Sequence, residues 1–151
     1  MTDIAIADLV PHAGTMCLLD TFVAAEGESL TAEVTIRADS LFCRNGEVGG
    51  WVGIEFMAQA VAAWAGWRAR QRGGLPQVGF LLGSRKYECS RPAFFPGERL
   101  RVQVTRQFQA DNGLGQFDCR IEIAGDTVAS AALTVFEPDD AAGFLQGKTH
   151  E

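Results

Sequence analysis

Residues 51–72, WVGIEFMAQAVAAWAGWRARQR, form the stretch of this chain that is rich in alanine, free of proline and long enough to make a substantial helix. It runs into Gly73-Gly74, residue types that end helices, which predicts a helix of about five to six turns. Its first turns are apolar on nearly every face, so protein must wrap it on most sides. A membrane span is the competing reading. Glu55, Gln59, the glycines and the many alanines make this segment a poor one.

On either side the pattern turns to strands. Residues 16–25 (MCLLDTFVAA) and 30–36 (LTAEVTI) are short β-leaning runs, separated by the turn-like Glu26-Gly27-Glu28-Ser29. Residues 78–89, 100–109, 115–124 and 127–136 predict further strands, with turn chemistry at Asp111-Asn112-Gly113 and Gly125-Asp126. Within 100–109, alternation sets Val102, Val104 and Phe108 on one face against Arg101, Gln103 and Thr105. A single buried helix among about six antiparallel strands predicts one α+β domain, a long central helix wrapped by a curved sheet. That domain is expected over residues 1–136, and EPDDAAGFLQGKTHE (137–151) reads as an acidic tail.

Composition narrows the class. The 151 residues suit one domain, and a chain of that size buries roughly 68–70% of its unfolded surface. With 47% hydrophobic and 21% charged residues, it is not a disordered, collagen-like or coiled-coil chain. A net charge of −6 argues against nucleic acid as a partner. Between Arg68 and Arg106, however, nine Lys/Arg face two acids, a local excess of +7. This stretch is either a set of solvated faces or a rim that receives an acidic partner or a phosphate. Cys17, Cys43, Cys89 and Cys119 are too scattered for a zinc or redox motif. His12 and His150, the only histidines, suggest no metal site. Asp3 and Asp8 stand where a signal peptide would need basic residues, so reduced thiols in the cytoplasm are expected, with no membrane attachment.

Glu55 is the informative residue. It lies one turn before Gln59 on the same face of an otherwise apolar helix. Burying an unpaired carboxylate costs roughly several kcal/mol, so the group must be hydrogen-bonded, neutralised or held at a wet cleft. Such settings suit general acid–base work, although a helix cap or a buried ion pair would satisfy the group too. Gly46, Gly49, Gly50 and Gly53 precede it. Glycines let a substrate approach the backbone, and the first N–H groups of a helix have no internal acceptor, so a thioester carbonyl has a candidate oxyanion hole there. Plain packing clearance is the alternative. Cys43 has no histidine near it in sequence, His12 after Pro11 reads as structural, and Phe94-Phe95-Pro96-Gly97 either walls a tunnel or closes the core.

LVPHAGTMCLLD (9–20), GWVGIEFMAQA (50–60), GFLLGSRKYECSRPAFFPGERLRVQV (79–104) and GDTVASAALTVF (125–136) together resemble the hotdog-fold 3-hydroxyacyl-acyl carrier protein dehydratases. The likeness is strongest to the ApeP-like branch associated with aryl polyene-type pigment clusters. It implies a hotdog fold, a homodimer paired through the strand around 79–89 or a heterodimer with a homologous hotdog subunit, and no cofactor. It implies substrates carried as thioesters of an acyl carrier protein or of coenzyme A, in a tunnel at the subunit interface. By the same resemblance Glu55 takes the acidic catalytic position, and the Gly50 N–H polarises the thioester carbonyl. Gln59, Gly49 and Gly53 are the candidate substrate-binding neighbours.

The pattern departs from the family at one point. The dehydratases carry a catalytic histidine in a His-Phe-Pro-Gly-like loop ahead of the acid, whereas SLFCRNGEVGGW (40–51) has none. Three functions remain: a dehydratase-like enzyme whose base is substituted or supplied by a partner subunit, a hotdog thioesterase in which Glu55 activates water, and a silent subunit that supports an active homologue.

Overall fold

A helix with no polar face can be satisfied only by a sheet broad enough to cover it, and the computed structural model provides one. Residues 4–10, 17–71, 73 and 80–136 are described. In chain order the elements are β1 (Thr21–Glu26), β2 (Ser29–Thr35), β3 (Cys43–Arg44), β4 (Glu47–Gly49), α1 (Gly53–Gln71), β5 (Phe80–Cys89), β6 (Ala93–Phe94), β7 (Arg99–Gln109), β8 (Leu114–Ile123) and β9 (Asp126–Phe136). Six strands form one antiparallel sheet in the order β1-β2-β7-β8-β9-β5. The helix α1 packs on β7, β2, β8, β5 and β9, so it crosses nearly the whole width of the sheet. This is the α+β hotdog arrangement that the sequence implies.

Alternation does the work in the strands. Leu30, Ala32 and Val34 of β2 and Leu100, Val102 and Val104 of β7 are buried, and the residues between them face outward. Phe108 does not join them and is 55% exposed. A register shift between Arg106 and Phe108 inserts one extra residue, which turns Phe108 to the outer face. Arg106 keeps the inward position and lies over the Trp64 ring, 4.8 Å from its centroid.

Other expectations shift by a few residues. The helix begins at Gly53, after a 3-10 turn at Gly50–Val52. The first strand begins at Thr21 rather than residue 16, and the β8–β9 turn is carried by Ala124 and Gly125, both at positive φ (53° and 88°), rather than by Gly125-Asp126. The expected strands do not include the small sheet β3-β4-β6 that precedes and backs the helix start. His12, the 78–79 end of a predicted strand and the 137–151 tail lie outside the described residues.

Trp64 ties the far half of α1 to the β1–β2 turn. Its indole N–H donates to the Gly27 carbonyl at 3.0 Å, and the Phe117 ring meets it edge-on at 5.4 Å. Arg68 and Arg106 both lie over its ring and both pair with Glu28. Near it the N-terminal segment crosses the helix. A Cβ on Gly66 would collide with the backbone carbonyl of Leu9.

In a helix interior, glycine to alanine ordinarily gains about 1 kcal/mol. Gly66→Ala should reverse that sign and lose about 1–3 kcal/mol, because the Leu9 backbone has to move. Urea unfolding of the two proteins checks the sign directly.

Candidate active site at the start of the helix

Gly50 has both of its backbone groups engaged before the helix begins. Its N–H donates to the Pro92 carbonyl at 2.8 Å, and its carbonyl accepts the Tyr87 hydroxyl at 2.5 Å. Pro92 lies in the short connection between β5 and β6, and β6 pairs with β4 through Val48↔Phe94 and Gly49↔Ala93. The turn that launches α1 is therefore held from two directions. A polarising role for the Gly50 N–H requires it to exchange Pro92 for the acyl oxygen. The next amide, that of Trp51, has no acceptor among the described residues.

The other glycines also meet protein. A Cβ on Gly50 would stand 2.5 Å from the Arg91 carbonyl, one on Gly53 would strike the Tyr87 hydroxyl, and one on Gly49 would stand 2.5 Å from the Trp51 indole nitrogen. Protein atoms thus fill each clearance. Gly46 differs: it has φ 80°, next to Asn45 at 55°, and turns the β3–β4 hairpin.

Glu55 and Gln59 share a helical face but not an environment. Gln59 is 1% exposed, and its side-chain carbonyl accepts the Leu18 N–H at 2.8 Å, lacing α1 to the segment before β1. Glu55 is half-buried and has no ion pair or side-chain hydrogen bond among the described residues. It heads a half-buried stripe of Ala58, Ala62 and Ala65 along the helix. One turn before it stands Trp51, 64% exposed, with the Phe42 ring edge-on at 5.8 Å.

Tyr87 is the residue that sequence reasoning passed over. It is the chain's single tyrosine, in a strand for which the sequence predicts no inward face. Burial first, and then the Cys89 thiol beside it, push its hydroxyl above the ordinary tyrosine value, so it stays a hydrogen-bond donor at neutral pH. All four cysteines are free thiols. Burial, then the charge of Asp118, pushes Cys119 up to about 12, which makes it an inert core thiol.

The basic stretch is largely cancelled within the fold. Arg68 and Arg106 pair with Glu28 (3.5 and 2.7 Å), Arg99 and Arg101 with Glu33 (3.5 and 2.9 Å), and Arg91 with Glu98 (2.8 Å). Arg85 and Lys86, exposed on β5, and Arg70 have no ion pair among the described residues. The described residues contain no cluster that would hold a metal ion, and no helix among them is long and apolar enough to cross a membrane.

The model of the ApeP-like family, described as ApeP dehydratase, matches residues 4–146. No curated protein matches the chain in sequence. Among solved structures, the dehydratase heterocomplex ApeI:P from Xenorhabdus doucetiae aligns with a TM-score of 0.88 at 29% identity, over 96% of this chain and 97% of that one. A hypothetical thioesterase with coenzyme A from Streptococcus pneumoniae aligns at 0.60 and 15% identity, over 77% and 83% of the two chains. The PaaI protein of the E. coli phenylacetic acid degradation operon aligns at 0.61 and 16%, over 77% and 81%. The last two share the fold.

The Phe94-Phe95-Pro96-Gly97 turn both closes the core and braces this site. Phe94 is fully buried, while Phe95 is 45% exposed under the Arg91 guanidinium. Burial alone would raise the Glu98 carboxyl, but the Phe95 N–H and Arg91 together hold it below the ordinary carboxylate value. A depressed carboxyl adds stability above its unfolded value and loses it as pH falls through the folded one. Glu98→Gln should therefore cost about 1 kcal/mol or less near neutrality. In a series of urea titrations, that difference should shrink on acidification and vanish below the depressed value.

Proposed function

The chain belongs to the ApeP-like dehydratase family, and from that premise we propose that it is one subunit of a hotdog pair that dehydrates 3-hydroxyacyl thioesters. In this reading the chain contributes Glu55, and its partner contributes the base. The observation that carries it is Glu55 itself: a half-buried carboxylate with no ion pair or side-chain hydrogen bond among the described residues, in a chain whose residues 40–51, the stretch ahead of it, hold no histidine. Two facts support the pairing. The solved relative from Xenorhabdus doucetiae is a dehydratase heterocomplex. Here β5 forms one edge of the large sheet, and such a long edge strand with unpaired backbone groups is suited to continuing into a second subunit.

The chemistry divides between the two chains. The partner's base takes the proton alpha to the thioester carbonyl, and the electron pair left behind forms the double bond to the beta carbon. The bond from that carbon to the 3-hydroxyl oxygen breaks, and Glu55 supplies the proton with which the hydroxyl leaves as water. The Trp51 amide, without an acceptor among the described residues, stabilises charge on the carbonyl oxygen, and the Gly50 N–H joins it only by giving up Pro92. In this reading the half-buried stripe of Ala58, Ala62 and Ala65 is the lane along which the acyl chain lies. Gly49 and Gly53 shape this lane indirectly by seating Trp51 and Tyr87, and Gln59 fixes the segment behind it. Presentation on an acidic carrier protein would use Arg85 and Lys86, which have no ion pair among the described residues.

Incubating a 3-hydroxyacyl carrier-protein thioester with this chain and a co-expressed hotdog partner, and weighing the acyl group by mass spectrometry, tests the reading. Loss of water is expected, slowed by at least about 10²-fold in Glu55→Gln with the fold retained. Release of the free acid would assign a thioesterase. Turnover equal in both proteins, or absent from both, would overturn the role of Glu55. Reversing charge at Arg85 and Lys86 should weaken carrier binding at low salt and matter less at high salt; binding that is indifferent to both would leave the carrier to another surface.

A further inference from the structure

The edge strand β5 carries an irregularity that decides which of its side chains meet the helix. Ser84 pairs with Leu133, Arg85 with Ala132, Glu88 with Ser130 and Cys89 with Ala129, so two residues of β5 stand opposite Ala131 alone. The extra residue falls at Lys86, which takes φ 56°, an uncommon conformation for a residue with a side chain. Strict alternation from Ser84 would face Lys86 and Glu88 toward α1. The bulge instead faces Tyr87 and Cys89 inward and leaves both charged residues exposed.

What Tyr87 meets there is the turn that precedes Glu55. Its hydroxyl donates to the Gly50 carbonyl at 2.5 Å, the same carbonyl that accepts the Gly53 N–H. It also occupies the space a side chain at Gly53 would need. Pro92 holds the other side of the Gly50 peptide. We propose that Tyr87 is a positioning residue: by clamping the Gly50 carbonyl it fixes the turn at Gly50–Val52, and with it the direction in which the first turn of α1 presents Glu55. This deepens the reading of Glu55 above and rests on it for its catalytic consequence. The clamp itself does not. Near-attack geometry is sensitive to small displacements, so a loosened launch turn should slow chemistry without weakening substrate binding.

Tyr87→Phe removes the hydroxyl and keeps the ring. With the subunit pair and a 3-hydroxyacyl carrier-protein thioester, kcat should fall by about 10- to 100-fold while KM changes by less than about twofold. Amide hydrogen exchange should quicken in the peptide spanning residues 50–55 and stay unchanged in β7, β8 and β9. Gly53→Ala, which drives a methyl group into the same hydroxyl, should give the same local signature. Unchanged exchange at 50–55, or faster exchange spread evenly over the whole chain, would reduce Tyr87 to an ordinary core contact. So would wild-type kcat in Tyr87→Phe when Glu55→Gln is inactive. If Glu55→Gln is itself fully active, the catalytic reading fails, and the exchange data alone decide the clamp.

Discussion

From Gly53 to Ala69 the helix has no fully exposed position, and such a segment survives in water only inside a continuous shell of protein. That constraint organises the chain. It demands a sheet wide enough to cover the helix from β2 to β5, and it demands close approach, because a sheet held off by large side chains would leave voids. The small residues are placed accordingly. Gly66 admits the Leu9 backbone, Gly53 admits the Tyr87 hydroxyl, and Gly50 admits the Arg91 carbonyl. Trp64, the large exception, is accommodated by giving its polar edge an acceptor and its face two guanidinium groups that share Glu28 as a partner.

The features that were legible in the sequence are those with a period. Alanine content and the absence of proline mark α1, and alternation marks β2 and the first half of β7. Strands of two or three residues, such as β3, β4 and β6, have no period to show. Bulges do worse than hide, because one extra residue reverses the phase of everything after it. Phe108 reads as core and lies outside, while Tyr87, unmarked in the sequence, reaches the start of the helix. Charge has the same difficulty over longer range. The excess between Arg68 and Arg106 is real along the chain, yet two of the acids that answer it, Glu28 in the β1–β2 turn and Glu33 in β2, come from outside the stretch.

At the site, the glycines and Gln59 stand out in the sequence without revealing what fills the space around them. A glycine says only that something comes close. Here the neighbours are a carbonyl, a phenol and an indole of the same chain, and Gln59 is satisfied in part by the Leu18 amide. Subtracting these internal partners isolates Glu55. This carboxylate has no ion pair or side-chain hydrogen bond among the described residues and sits at the margin of an apolar stripe, a placement that stability alone does not favour.

A division of acid and base between two chains places a demand on each. Proton transfer requires both groups within hydrogen-bond reach of one substrate, and an error in either chain adds to the error of docking them. Each half must therefore be rigid before it meets the other. A carboxylate on the first turn of a helix is exposed to fraying at that end, the part of any helix least held by its own hydrogen bonds. Bonding the two peptide groups that flank Gly50, one to Pro92 and one to Tyr87, removes that freedom without touching Glu55. Among the described residues the carboxylate stays unpaired, and the backbone before it does not. That combination, an open functional group on a closed support, is what a half-site needs if its other half arrives from a second subunit.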